Sequence, residues 1–84
     1  MDEQRRLLDV EEPYFVEYLD YCQVWSLRFR LRPHPDTGWK LKEFDTRQKA
    51  TKALEWLRAD YRKTGQVRRQ YPKEAPFSRE RPSR

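Results

Sequence analysis

Residues 25–32 alternate without a break: Trp25, Leu27, Phe29 and Leu31 are apolar, while Ser26, Arg28, Arg30 and Arg32 are polar or charged. A period of two is the mark of a β-strand with one packed face and one wet face. Such a strand needs a partner strand and a covering layer, and the following residues supply both. Pro33, Pro35 and Gly38 bracket a turn centred on Asp36 and Thr37. Trp39, Leu41 and Glu43 then alternate with Lys40, Lys42 and Phe44. With HPDTG as a five-residue connection, Leu31 pairs with Leu41, Arg30 faces Lys42 and Arg32 faces Lys40. An even connection would set Leu41 beside Arg32 and mix the faces, which a half-buried sheet resists.

The covering layer is a helix. Asp45 or Thr46 caps it, and Asp45 with Gln48 matches a capping box. Ala50, Ala53, Leu54, Leu57 and Tyr61 form a stripe at helical spacing. Arg62 and Lys63 suit the negative end of the helix dipole, and Gly65 supplies a stop. Upstream, YFVEYLDY at 14–21 reads as a strand because aromatic and β-branched residues dominate, although Pro13 at a first helical position fits a short helix almost as well.

Eighty-four residues allow one small domain. The expected fold is α+β: a small two- or three-stranded antiparallel sheet with one amphipathic helix packed on its apolar face. Three regions are expected: a polar acidic arm over 1–12, a single domain over 13–65, and a disordered basic tail over 66–84. The tail contains three prolines, shows no periodicity and offers little to bury. Charge is polarised along the chain. Residues 1–21 hold two basic side chains against seven acidic ones, residues 22–65 eleven against five, and residues 66–84 six against two. A basic centre and tail point to an anionic partner.

Little in the sequence suggests catalysis. His34 stands alone in a proline-flanked turn, Cys22 is the single cysteine, and a zinc site needs more ligands than these. Two glycines leave no phosphate-cradling loop, and no nucleophile has a base beside it. The expectation is a non-enzymatic protein without metal or cofactor. With no disulfide pair, signal peptide or membrane span in evidence, a cytoplasmic location and no membrane partner are expected.

The basic strand face remains as the candidate site. Arg28, Arg30, Arg32, Lys40 and Lys42, with Arg47 and Lys49 at the helix start, would present guanidinium forks and ammonium groups to phosphates or base edges. The competing reading is a solvated face whose charges protect sheet edges. Trp25 and Trp39 fall on the apolar face, which favours core packing over base stacking. Trp56 lies to one side of the helix stripe and is the candidate for a protein interface.

WSLRFRLR, a turn, GWKLKEF and the capped helix DTRQKATKALEWL resemble the N-terminal arm-binding domains of tyrosine recombinases from phages and transposons. These, like the plant AP2 domains, read DNA with a three-stranded sheet backed by one helix. The resemblance spans roughly residues 22–60. It implies duplex-DNA binding, with Arg28, Arg30, Lys40 and Lys42 on the DNA-facing sheet, in a regulator encoded by a phage or mobile element. The alternative is a small inhibitor or adaptor that docks on the acidic surface of a larger protein assembly.

Overall fold

The computed structural model describes residues 13–32 and 38–80. Three strands come first: β1, Tyr14–Leu19; β2, Val24–Phe29; and β3, Trp39–Phe44. A single helix, α1, follows over Arg47–Thr64. The sheet is antiparallel in the order β1-β2-β3, and α1 packs on it, so the fold is α+β. The expected acidic arm, the turn residues 33–37 with His34, and residues 81–84 lie outside the described residues.

Residues 14–19 are a strand because their alternate side chains complete the dry face of β2. Tyr14, Val16 and Tyr18 stand opposite Phe29, Leu27 and Trp25. A helix over the same residues would break that match. The β1–β2 turn closes with Gln23 in the left-handed region (φ 56°) and its N–H donating to Leu19 O at 2.7 Å. Cys22 is part of this turn and is half-buried.

The β2–β3 register differs from the one expected. Arg28, not Arg32, stands opposite Lys40, and Leu27, not Arg30, stands opposite Lys42. The connection therefore runs from Arg30 to Gly38 and is longer than HPDTG. Between those two pairs Leu41 is an extra residue on β3, a β-bulge. The physical reason is visible in the side chains. Unbroken alternation would place Phe44 in water and Glu43 in the core. The bulge reverses the second half of β3, so Phe44 is buried opposite Trp25 and Glu43 faces away with Ser26. Lys42 is carried to the helix side by the same step.

Thr46 caps α1, its Oγ1 accepting from Lys49 N at 3.2 Å, so the capping-box geometry on Asp45 is not the one used. Gly65 ends the helix in the left-handed conformation (φ 73°), its N–H donating to Tyr61 O. Ala50, Ala53 and Leu57 are buried against Tyr14, Leu27, Phe29 and Phe44, and Leu54 and Tyr61 pack at the edge of this core. The two alanines allow the close approach that lets a small core exclude water.

Residues 66–80 correct the expectation of a disordered tail. They fold back along the helix side of the sheet. Pro72 and Ala75 are buried, and Val67, Tyr71 and Phe77 pack on the core. Tyr71 and Phe77 meet Phe44 edge-on at 6.0 and 6.2 Å between ring centroids. The Tyr71 hydroxyl donates to Pro76 O, and burial pushes its pKa up to about 12. Phe77 adopts a left-handed backbone (φ 60°), a strained choice for an aromatic residue that its ring contacts offset. The domain thus includes residues 66–80, because β3 leaves Phe44 without enough cover from α1 alone. Among the described residues no helix is long and apolar enough to cross a membrane.

Candidate nucleic-acid interface

The register divides the expected basic face between the two sides of the sheet. Lys42 is on the helix side, where its Nζ donates to Ser78 O and Glu80 O and lies 5.7 Å from the Tyr71 ring centre. Lys49 reaches the same segment. Its Nζ is 2.6 Å from Glu80 Oε1 and 3.4 Å from Asp45 Oδ1, and the Glu80 hydrogen bond holds its pKa above the ordinary lysine value. These two lysines fasten residues 78–80 and do not join a sheet-face patch. Arg47 is exposed on the first turn of α1.

The far face, away from α1, carries Phe15, Glu17 and Leu19 from β1, Val24, Ser26 and Arg28 from β2, and Lys40 and Glu43 from β3. Its Val24 and Ser26 end is buried, and among the described residues the Ser26 hydroxyl has no hydrogen-bond partner. Its other end is basic. Arg28 Nη2 donates to Gly38 O at 3.0 Å, and its Nε is 4.0 Å from Glu17 Oε1. Arg30 continues along β2; its backbone N–H donates to Pro13 O, and its guanidinium lies 4.9 Å from the Phe15 ring centre. Lys40 pairs with Glu43 at 3.3 Å, an exposed i,i+3 contact that is weak in water. Arg32 is exposed just beyond the strand.

Gly38 sets the start of β3. It adopts φ 74°, and a Cβ there would collide with the Phe29 carbonyl oxygen. The tight approach, clamped by the Arg28 side chain, fixes the next residue. Trp39 stacks on Phe29 with ring centroids 5.5 Å apart and planes 30° apart, yet stays 50% exposed. Phe29, Leu31, Trp39, Lys40 and Arg69 line a notch of about 260 Å³ at this corner. Trp39 was expected in the core; it stands at the start of β3, stacked on Phe29 and half-exposed. Trp25 keeps its core-edge place beside Tyr18, at 4.6 Å. Trp56 packs against the edge of the core and is less exposed than Trp39, over a shallow hollow shared with Ala59, Asp60 and Lys63.

Leu31, Trp39 and Arg69 are absent from the set the sequence suggests. Gly38 directly before Trp39 was a usable signal, because a left-handed glycine at a strand start leaves the next side chain at the sheet corner. Arg69 had none, since its place depends on the return of residues 66–80. That return is anchored beside it. The Arg68 guanidinium holds both Asp60 carboxylate oxygens, at 2.9 and 3.0 Å, and its backbone N–H donates to Tyr14 Oη at 2.7 Å. The Arg68 hydrogen bonds hold the Asp60 carboxyl below the usual range, while burial raises the Tyr14 phenol.

Among the described residues no group of three or more His, Cys, Asp or Glu side chains could hold a metal ion. What the corner offers is cationic hydrogen-bond donors beside a flat, half-covered ring. Comparison of the chain with protein-family models, with curated proteins and with solved structures gives no match.

Proposed function

We propose that this chain is a non-enzymatic nucleic-acid-binding module that uses one corner of its sheet. The observation behind this reading is the set of cations there: Arg30 and Lys40 on the far face, Arg69 lining the notch together with Lys40, and exposed Arg32 at the strand end. The described residues hold fifteen basic side chains against eight acidic ones, so the surrounding field also attracts polyanions. The weak Lys40–Glu43 pair opposes phosphate binding little. Three strands backed by one helix are also the scaffold of the recombinase arm-binding domains that the sequence resembles, but the contact set here is smaller: Lys42 and Lys49 are engaged elsewhere.

Fluorescence anisotropy with labelled single-stranded and duplex oligonucleotides, titrated over salt, tests the reading. Arg30→Glu with Lys40→Glu should abolish most of the affinity and lower the salt slope by about two units, close to one per lost phosphate contact. A double variant that binds as the parent does, or a parent that binds neither oligonucleotide at physiological salt, overturns it. An acidic protein surface would then be the remaining partner for the corner.

A further inference from the structure

We infer that the Trp39 notch takes a single unpaired nucleobase, so that the ligand of this corner is single-stranded nucleic acid. This rests on the nucleic-acid reading above and narrows it.

Stacking needs a rigid ring with one face backed and the other open. Trp39 meets that need, with Phe29 stacked behind it and half its surface exposed. The platform is preorganised: Gly38 has no room for a side chain against the Phe29 carbonyl, and Arg28 Nη2 holds the Gly38 carbonyl. Little ordering entropy is then lost on binding. Leu31 and Phe29 give the notch apolar walls, while Lys40 and Arg69 line its rim. An apolar slot rimmed by two cations is complementary to a flat heteroaromatic ring that carries a phosphate on its backbone. Bases inside a duplex are stacked on both faces and cannot enter. Edge readout in a major groove would instead need a broad basic sheet face, and the bulge at Leu41 removes Lys42 from that face.

The test uses the full chain with an oligothymidylate twelve-mer, an oligouridylate of the same length, and a duplex twelve-mer. Trp39→Leu should weaken binding to both single strands by roughly 5- to 150-fold, the range for losing one base-on-aromatic stack, and change duplex binding less than twofold. Because Trp39 also contacts Phe29, Arg69→Gln serves as a second variant outside the core; it should weaken single-strand binding several-fold with an unchanged melt. In the parent, either single strand should quench tryptophan emission, and the quench should vanish in Trp39→Leu. A parent that binds nucleic acid while both variants retain parental single-strand affinity overturns the notch assignment alone. A parent that binds no oligonucleotide overturns the broader reading with it. Quenching by a tyrosine-containing acidic peptide but by neither oligonucleotide overturns both in favour of a protein ligand.

Discussion

On the helix side of the sheet, Lys42 and Lys49 are drawn onto Glu80 and the carbonyls of Ser78 and Glu80, and the Arg68 guanidinium closes on Asp60. At the corner where β3 begins, Lys40 and Arg69 line the notch of a half-exposed tryptophan, Arg30 and Arg32 follow the end of β2, and Lys40 makes a weak ion pair with Glu43. The residue types are the same and their roles differ. On the first side Lys42 and Lys49 satisfy a carboxylate and carbonyls that the returning chain brings against the domain, and Arg68 of that chain satisfies Asp60 of α1. On the second, Lys40 and Arg69 line the Trp39 notch, and Arg69 is itself supplied by the returning segment. Composition alone cannot separate the two sets, because the difference arises from where residues 66–80 lie.

The strongest way to break this contrast is to remove that segment. A chain ending at Gly65 loses Val67, Tyr71, Pro72, Ala75 and Phe77 and uncovers Phe44. At about 1.5–3 kcal/mol for each fully buried large side chain, the loss should be at least about 3 kcal/mol. Against the 5–15 kcal/mol typical of a folded domain, the truncated chain should melt far below the parent or fail to fold. Urea unfolding followed by tryptophan emission measures it. A truncated chain with the parental midpoint would show that 66–80 only rests on the surface.

Much of the scaffold was readable because its signals are local. The alternation in 25–29, the helix stripe and the glycine stop each depend on neighbours within a few residues, and each is realised, although Ser26 on the side expected to be wet is fully buried. The register was not readable by counting turn residues, because it is set by which side chains need burial. Phe44 is the telling residue: regular alternation from Trp39 puts it in water, and only a bulge brings it inside. The fold-back was missed because prolines and arginines dominate the composition of 66–80. Tyr71, Ala75 and Phe77, placed four and two residues apart, were the apolar anchors within it. The candidate site inherited both errors. Lys42 left the face through the bulge, and Arg69 entered the notch through the fold-back.

A milder perturbation loosens the anchor and keeps the segment. The Arg68 hydrogen bonds lower the folded-state pKa of Asp60, so the ionised carboxylate stabilises the fold above the ordinary aspartate range. That contribution is complete at neutral pH and is lost as pH falls through the lowered folded value. Asp60→Asn should therefore cost about 1 kcal/mol or less at pH 7, the range for a pair that solvent screens. The gap between variant and parent should close as pH falls toward 2, in urea midpoints taken at steps of pH. A gap that stays constant into acid would mean that the Asp60 charge is not what ties Arg68 down.

The smallest effect is the sharpest test of the contrast, since it sets Lys49 against Lys40. Both are partly exposed lysines paired with a glutamate, Lys49 with Glu80 at 2.6 Å and Lys40 with Glu43 at 3.3 Å. If position decides role, neutralising each should move a different observable. Lys49→Gln should lower the melting temperature slightly, and a double-mutant cycle with Glu80→Gln should assign that loss to the pair. The loss should shrink as salt rises, because the pair is open to screening ions. Its oligonucleotide affinity should stay within twofold of the parent. Lys40→Gln should do the reverse, leaving the melt unchanged while weakening single-strand binding and lowering its salt slope by about 0.7 unit. Equal losses of affinity in the two variants would mean that a polyanion displaces Glu80 and binds both sides of the sheet, and the division between fastening and binding cations would fail.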